Sequence, residues 1–592
     1  MGPPRQSVGG GVLVRVIAAT LLVAMAVLMI AISRQDSATV DETTYLGAGY
    51  TFWQGHRYYL SSDHPPLDQL FDSLPLLAMD VRLSDNAQAL LSRRAGYPWT
   101  LTWSDDMQPL QTLFPQGRDN WYFWAIPEGQ LFGQMFVYDS ANDADAMMFA
   151  GRLMQVGLTL LAGVFIFWWA KRLAGPTAAL LALATYAANP LVLGYGHLII
   201  TDVGGMVMIP VAVFALGRFV EQPGRTTALW AGTTVACSLA LEYKSLVLGP
   251  ILVALICLYA LMCLCALMRL YQSKFHPTWS HWLQLLRHCG WIALAGWLVL
   301  LIAYLPEWKF PPPISPSQAA QLGVPKWFQA LRFVLIPRDF FKGLAIVLAQ
   351  AYHPREAYLN GLWKDGGWWY YFPVALLLKV PIPILFLAVL TLGLLIIRIR
   401  RQEFSVLVPW LAAGVYLGTS MSSKVNIGVR YTLPLMPLLA VGIASQWPAV
   451  PRKLRPLVWL LIGWLGVETL IAYPLYIQYF NEFAGGAQNG YKYLVDSNYD
   501  WGQDANRLKR FLAGRGISHI YLDYFGTQYN IEYLKIPNTR VNAEQARQIT
   551  GGWLVVSASE LMRPEWAWLR QSRQPTARVA YTLFVYQLGR TE

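Results

Sequence analysis

The sequence predicts an α-helical polytopic membrane protein with about eleven transmembrane helices, followed by a small α/β domain. Of the 592 residues, 55% are hydrophobic and only 14% are charged. The mean hydropathy of +0.35 is too high for a soluble globular chain of this size. After Tyr479 the charge rises, and short β-like runs such as 520–522 and 553–556 alternate with a helical pattern at 504–512. This change is typical of a small α/β domain, which we place at 480–592.

Apolar segments close to the roughly 20 residues needed to cross a bilayer recur through residues 1–479. The first is longer than the apolar core of a signal peptide and lacks a small-x-small cleavage site, so we expect a retained anchor. The predicted spans are 12–32, 147–170, 176–196, 204–220, 226–242, 245–268, 290–305, 373–397, 404–420, 431–447 and 457–478.

Basic residues orient these spans. Arg5 and Arg15 place the N-terminus in the cytoplasm, and alternation then gives every cytoplasmic turn positive charge, as the positive-inside rule requires. The basic residues of those turns are Lys171, Arg172, Arg218, Arg225, Arg269 to Arg287, Arg398 to Arg401 and Arg452 to Arg455. Two large loops, 33–146 and 306–372, and the C-terminal domain are then extracytoplasmic. Because topology explains the net charge of +12, we expect membrane lipid and no nucleic acid as a partner.

Acidic residues gather on this predicted outer face. Asp41 and Glu42 follow the first span, Asp63 and His64 lie soon after, and Asp202 stands at the outer end of another span. Carboxylates beside lipid are costly to keep ionised, which makes them functional candidates. Helix-end charges are the alternative for the acids, and a capped rigid turn is the alternative for Asp63-His64-Pro65-Pro66.

Four further features of the sequence each have two interpretations. Arg152 either pairs with Asp41 or Glu42 or extends toward the interface. Lys244 contributes to the site or pairs with Glu242 at a helix end. The aromatic run Trp368, Trp369 and Tyr370 forms an interfacial belt or a platform for a sugar or a lipid. Asp500 with Gln503 predicts a helix capping box, with acceptor contact as the alternative.

Several motifs resemble bacterial members of glycosyltransferase family 39, in the GT-C superfamily. This family is related to protein O-mannosyltransferases and to the aminoarabinose transferases that modify lipid A. Two later stretches resemble a branch of phospholipid-carrier-dependent glycosyltransferases, namely 368–373 with 379–383, and 481–504. The earlier motifs are Asp41-Glu42, His64-Pro65-Pro66-Leu67, Gly151-Arg152-Leu153, Asn189-Pro190, Gly196-His197, Thr201-Asp202 and Arg430 to Pro437.

The resemblance implies a GT-C catalytic domain at 1–479 in the bacterial plasma membrane. Such an enzyme transfers a sugar from a polyprenyl-phosphate donor to a hydroxyl of a lipid, glycan or protein. Phosphate is already a good leaving group, so a general base and phosphate-binding cations are needed more than a general acid. The motifs map the base onto Asp41, with Glu42 and Asp202 as further acids, and the phosphate contacts onto Arg430 and Tyr431. Lys424 and Lys244 are further phosphate candidates, and Asp63, His64, Arg152, Trp368, Trp369 and Tyr370 are expected to position loops or acceptor.

No cofactor is expected, and no divalent metal is required. Asp139, Asp143 and Asp145 alternate like calcium ligands but lack the glycine and the closing glutamate of such a loop.

A transporter is the competing class, because many spans with buried acids also suit ion coupling. Transporters place such acids near mid-membrane and often repeat their halves. Here the acids gather at one predicted face, and the sequence shows no repeat.

Overall fold

The computed structural model of the chain describes residues 8–55, 60–61, 63–95, 122–268, 279–305, 337–352, 355–401 and 403–589. Residues 96–121, 306–336 and 353–354 lie outside this part, and with them portions of both predicted outer loops. The first loop contains Glu42–Trp53 (α2), Pro66–Ser73 (α3), Asp85–Ala95 (α4) and Tyr122–Val137 (α5). The other helices before the C-terminal domain are Val8–Ser33 (α1), Ala144–Ala174 (α6), Pro176–Ala187 (α7), Pro190–Tyr195 (α8), Thr201–Glu221 (α9), Arg225–Leu241 (α10), Leu248–Met268 (α11), Trp279–Ala303 (α12), Arg338–Tyr352 (α13), Tyr371–Lys379 (α14), Ile382–Arg400 (α15), Phe404–Met421 (α16), Leu435–Ser445 (α17) and Arg455–Ala472 (α18).

The polytopic helical architecture is confirmed, whereas the count of eleven spans is not. Eight helices of the described part are long and apolar enough to cross a membrane: α1, α6, α9, α11, α12, α15, α16 and α18. Proline explains much of the difference, because it removes a backbone donor and breaks helices inside otherwise apolar runs. The segment 176–196 breaks at Asn189-Pro190, 373–397 breaks at Val380-Pro381, and the helix in 431–447 begins only at Leu435, after Pro434. The segment 226–242 forms α10, which has 17 residues.

Helix α2 is buried inside the first loop, between α3 and α5. Two glycines allow this close packing. A Cβ at Gly49 would collide with the carbonyl of Gln69 on α3, and one at Gly133 of α5 would collide with the carbonyl of Thr43 on α2. The start of α2, which follows Asp41 directly, therefore has neighbours on both sides.

A short antiparallel hairpin lies in the described part of the second large loop. Strands Glu356–Leu359 (β1) and Leu362–Asp365 (β2) are joined by Asn360 and Gly361, whose φ angles are 51° and 87°. Positive φ at both central residues is the reason that Asn-Gly favours such two-residue turns. The hairpin leads into the Trp368 to Tyr370 run.

The predicted C-terminal α/β domain is confirmed. Its five strands are Ile520–Asp523 (β3), Asn538–Arg540 (β4), Gly552–Ser557 (β5), Ala577–Val579 (β6) and Leu583–Leu588 (β7). They have the order β4-β3-β5-β7-β6, with β3 parallel to β4 and β5, and β7 antiparallel to β5 and β6. The helices are Ala505–Arg515 (α19), Gln528–Tyr533 (α20), Ala543–Arg547 (α21), Ala558–Leu561 (α22) and Ala567–Ser572 (α23). Leu508 and Leu512 of α19 pack with Ile520, Leu522 and Val555 in the core of this domain.

The capping box predicted at Asp500 and Gln503 is wrong. The N-cap of α19 is Asp504, without a side-chain cap. Asp500 instead accepts a hydrogen bond from the Ser559 amide at 2.9 Å, and Gln503 accepts one from the Trp501 amide at 2.7 Å. These side chains fold the loop before the helix, so α19 begins later than the motif suggested.

Candidate active site

Arg430 lies at the centre of a buried charge cluster. It belongs to a short 3₁₀ turn, Val429–Thr432, just before α17. Its Nη2 is 3.1 Å from Asp41 Oδ2 and its Nη1 is 3.2 Å from Asp202 Oδ2. The Asp202 side chain is 3% exposed and that of Asp41 is 19% exposed, so Asp41 is the more accessible partner. The structure thus joins three predicted site residues from distant parts of the chain.

Lys244 extends the cluster from the far side of Asp202. Its Nζ pairs with Asp202 Oδ1 and lies 3.6 Å from Glu242 Oε2. The same Nζ stands 3.8 Å from the ring centroid of Tyr431, so the cation also has an aromatic face beside it. Lys244 therefore pairs with Glu242, as one interpretation expects, and it also lies within the Arg430 cluster.

Glu242 leads into a hydrogen-bonded chain through Thr201 and His64 to Tyr45. Thr201 Oγ1 lies 3.0 Å from Glu242 Oε2 and 3.1 Å from His64 Nδ1, and His64 Nε2 lies 3.0 Å from the Tyr45 hydroxyl. Thr201 has one hydroxyl proton, which it donates to the glutamate, so it accepts from His64 Nδ1–H. Nε2 of a neutral His64 is then the acceptor for Tyr45. Asp63 Oδ2 stands 3.6 Å from the same Nε2.

Glu42 and Arg152 form a separate buried ion pair. Arg152 Nε donates to Glu42 Oε1 at 2.8 Å and Nη2 donates to Oε2 at 2.7 Å. Glu42 also accepts from the backbone amides of Thr39 and Ile199, at 2.8 and 3.1 Å. Burial raises the pKa of Glu42, but Arg152 and the two amides outweigh it and hold the pKa below its usual range.

The catalytic role of Glu42 stays a prediction, and its surroundings suit a residue that positions Asp41. Its side chain is fully buried, and its two oxygens already accept from four donors. Arg152 pairs with Glu42, one of the two partners that the sequence left open, and its remaining N–H groups bind the carbonyls of Ser33, Asp36 and Ser37. The Glu42–Arg152 pair therefore holds the backbone that leads into Asp41.

Other predicted residues lie outside the ion pairs of Arg430. Lys424 is exposed and makes no hydrogen bond or ion pair with any described residue, so the structure does not bring it to the phosphate candidates. Trp369 and Tyr370 are 68% and 38% exposed, and Trp368 is anchored by its backbone amide, which donates to Asn426 Oδ1 at 2.7 Å. These positions suit either interpretation of the aromatic run.

The structure also shows two groups that the sequence did not single out. Asp68 and Asp72 of α3 are buried, and Gln155 Nε2 donates to both, at 3.2 and 2.7 Å. Burial raises the pKa of both carboxyls, and Asp68 raises that of Asp72 further. Trp501 lies under the guanidinium of Arg430, with Cζ 4.2 Å from a ring centroid. Its motif was visible in the sequence, but there its polar neighbours suggested a helix cap.

Among the described residues, no group of three or more histidine, cysteine, aspartate or glutamate side chains is arranged to hold a metal ion. Independence of metals and cofactors stays a prediction.

No family model matches the chain, and no curated protein matches it. Similar solved structures include ArnT from Cupriavidus metallidurans in the apo state, with 11% identity, a TM-score of 0.43, and coverage of 96% of this chain and 97% of that one. The same protein bound to undecaprenyl phosphate gives 12% identity, a TM-score of 0.38 and the same coverage. Placement in glycosyltransferase family 39 stays a prediction, and at these TM-scores no residue role is carried over.

Proposed function

We propose that the protein is an inverting membrane glycosyltransferase that moves a sugar from a polyprenyl-phosphate donor to a hydroxyl acceptor at the extracytoplasmic face. The observation that carries this proposal is the buried guanidinium of Arg430, held between Asp41 and Asp202 with Lys244 beside it. A carboxylate that is partly exposed, next to two cations, supplies a base and a phosphate site within one cluster.

In the proposed reaction, the acceptor oxygen attacks the anomeric carbon of the donor sugar. The bond from that carbon to the phosphate oxygen breaks, and polyprenyl phosphate leaves with the electron pair. The acceptor proton passes to a carboxylate oxygen of Asp41. Arg430 and Lys244 stabilise the negative charge that grows on the leaving phosphate, and attack opposite the leaving group inverts the anomeric configuration.

The ion pairs suggest how the donor enters. Each Nη group of Arg430 has a carboxylate beside it, so a phosphate that binds on the same side of the guanidinium competes with that carboxylate. Asp41 is the more exposed of the two, and Asp202 is also held by Lys244. A phosphate that takes the Nη2 side of Arg430 therefore releases Asp41, which is then available to accept a proton.

The position of the cluster favours an enzyme over a transporter. Asp41 precedes α2, Asp202 is in the first turn of α9, and Glu242 follows the last residue of α10. Arg430 lies in a turn before α17. These charges stand at helix ends, whereas coupling acids of transporters lie in the middle of interrupted spans.

The test is Asp41→Asn, with Asp63→Asn as the matched control. Asp63 is in the same loop and makes no ion pair with Arg430 among the described residues. The protein is assayed in proteoliposomes with a panel of undecaprenyl-phosphate-linked hexoses and pentoses and a membrane extract as acceptor source. We expect Asp41→Asn to lower transfer by about 10²- to 10⁴-fold, the usual effect of losing a general base. Binding of undecaprenyl phosphate is expected to persist.

Undiminished transfer by Asp41→Asn would remove the assigned base. If Asp63→Asn loses as much transfer as Asp41→Asn, the loss reflects the loop and not the proposed base. If the wild type neither binds undecaprenyl phosphate nor transfers any of the sugars, the proposed function is wrong.

A further inference from the structure

The segment 496–504, which we call the clamp segment, lies between α18 and α19 and packs on the turn that carries Arg430. Three contacts fix the backbone of that turn. The amide of Val429 donates to Asn498 Oδ1 at 2.7 Å, and Ser497 Oγ donates to the carbonyl of Ile427 at 2.9 Å. A Cβ at Gly428 would collide with Ser497 Oγ, so the glycine permits the close approach. The C-terminal part of the chain thus sets the path of residues 427–430.

The clamp segment is itself held on the helical part of the protein. Lys379 is fully buried at the end of α14, and its Nζ donates to the carbonyl of Asn498 at 2.6 Å. Asn498 Nδ2 also donates to the Tyr371 hydroxyl at 2.9 Å. The contacts to the Arg430 turn are therefore made by a segment with fixed supports.

Trp501 adds a side-chain contact to the guanidinium of Arg430. Its side chain is 3% exposed, and the guanidinium carbon lies 4.2 Å from a ring centroid. The Trp501 amide donates to Gln503 Oε1 at 2.7 Å, and Gln503 Nε2 donates back to the carbonyl of Tyr499 at 2.9 Å. The backbone that carries the indole is therefore held by its own loop.

Arg430 is thus held by two kinds of contact, ion pairs at its Nη groups and an aromatic ring against its face. Asp41 and Asp202 occupy its Nη groups, while its Nε is buried and has no hydrogen-bond partner among the described residues. The aromatic face supplies an attraction that does not use up any N–H group of the guanidinium. When a phosphate replaces Asp41, the ring contact remains and the guanidinium keeps its orientation.

We propose that Trp501 is a positioning residue, which holds the Arg430 guanidinium in the plane in which its Nη groups meet the donor phosphate. This inference rests on the proposed function. It makes the C-terminal domain part of the donor phosphate site, since Trp501 directly precedes that domain's first helix and acts on substrate only through Arg430.

A purely structural role for Trp501 makes different predictions. Trp501→Phe keeps an aromatic face, and Trp501→Leu keeps apolar volume without one. Trp566 is the matched control, because it is a tryptophan of the same C-terminal region, is 2% exposed, and donates its indole N–H to Asp523 instead of contacting Arg430. If packing alone mattered, Trp501→Leu and Trp566→Leu would both act through stability.

The experiment measures binding of undecaprenyl phosphate to the purified full chain, together with its thermal unfolding in the same detergent. We expect Trp501→Leu to raise the Kd of the folded protein about 3- to 30-fold, the range that a desolvated cation–aromatic contact supports. Trp501→Phe is expected to recover most of the affinity. Trp566→Leu is expected to lower the unfolding temperature while the Kd stays within about twofold of the wild type.

A double-mutant cycle with Arg430→Ala completes the test. If Trp501 acts through Arg430, Trp501→Leu has little further effect on the Kd when Arg430 is already absent. The inference is overturned if Trp501→Leu binds like the wild type, if Trp501→Phe is as weak as Trp501→Leu, or if the two changes are additive. When the wild type binds and only the Trp501 effects fail, the proposed function stands without the inference. When the wild type itself does not bind, both are overturned.

Discussion

Replacing Arg152 by lysine tests how the Asp41 region is held. Arginine has five N–H donors, and in Arg152 each of them makes a hydrogen bond of 2.7 to 2.9 Å. The acceptors are the two oxygens of Glu42 and the backbone carbonyls of Ser33, Asp36 and Ser37. The side chain is 2% exposed, so water does not readily replace a lost donor.

The expected cost follows from the number of donors. Lysine keeps the positive charge that Glu42 needs, but its ammonium has three donors, so at least two of the five acceptor contacts are lost. A buried acceptor left without its partner costs about 1–3 kcal/mol, which gives about 2–6 kcal/mol for Arg152→Lys. Arg172→Lys is the control, because Arg172 is exposed near the end of the same helix and its replacement should cost no more than about 0.5 kcal/mol.

The assay is equilibrium unfolding of each variant by sodium dodecyl sulfate in mixed micelles, followed by tryptophan fluorescence. Transfer activity per folded molecule is measured in parallel, and it should fall in Arg152→Lys because the chain leading into Asp41 is less firmly held. If Arg152→Lys is within about 1 kcal/mol of Arg172→Lys, a range that an exposed pair would give, the count of five hydrogen bonds does not describe how Arg152 stabilises the protein.

Three further results are expected. Arg430→Lys should weaken undecaprenyl phosphate binding by about tenfold or more, because a single ammonium cannot reproduce the planar fork of N–H donors of a guanidinium. Lys424→Met should leave the Kd unchanged. Equal effects of the two changes would contradict the assignment of Arg430 as a phosphate contact. Burial raises the pKa of Asp500 from 3.8 to about 8, so the folded protein favours the protonated carboxyl and its stability falls as the pH rises between those values. Asp500→Asn should therefore have a higher unfolding temperature than the wild type at pH 8 but not at pH 4. The control is Asp365→Asn, at an exposed position, which should change the unfolding temperature at neither pH. Thr201→Val should cost about 1–3 kcal/mol in the same unfolding assay, because buried Glu242 and partly buried His64 lose the hydroxyl between them, and Thr201→Ser should restore most of it. A valine variant as stable as the serine variant would show that the hydroxyl bridge contributes nothing.

The part of the site that could be predicted is the part marked by charge. Asp41 and Asp202 stand at the ends of apolar segments, where an ionised group beside lipid is costly unless it has a partner, whereas Arg430 is marked by the resemblance of its motif. That physical rule applies to single residues, so it could be read without knowing the fold. It also singled out Glu42 and Arg152, although their separation from the Arg430 cluster appears only when α2 is packed between α3 and α5.

Other features depend on contacts that local patterns do not contain. The residue types of Trp501 and Asn498 do not show which distant residues they contact, and Asn498 meets its partner Val429 across 69 positions of sequence. The errors in the predicted spans have a different cause. Hydropathy averaged over a window hardly changes at Asn189-Pro190 or Val380-Pro381, because their neighbours are apolar, whereas the helix ends there for lack of a backbone donor.

The attachment of the C-terminal domain to the start of the chain has a consequence for folding order. The amide of Asn506 donates to Ser37 Oγ at 2.8 Å, across 469 positions of sequence, and the amide of Ser37 donates to the carbonyl of Gln503 at the same distance. Contacts this distant form slowly, and domains synthesised later fold later. The helices can therefore be inserted and packed while the Arg430 turn still lacks its clamp segment. A chain halted near residue 480 would hold its spans and every charged residue of the Arg430 cluster, but the turn that carries Arg430 would lack the support of the clamp segment until residues 496–504 have been made.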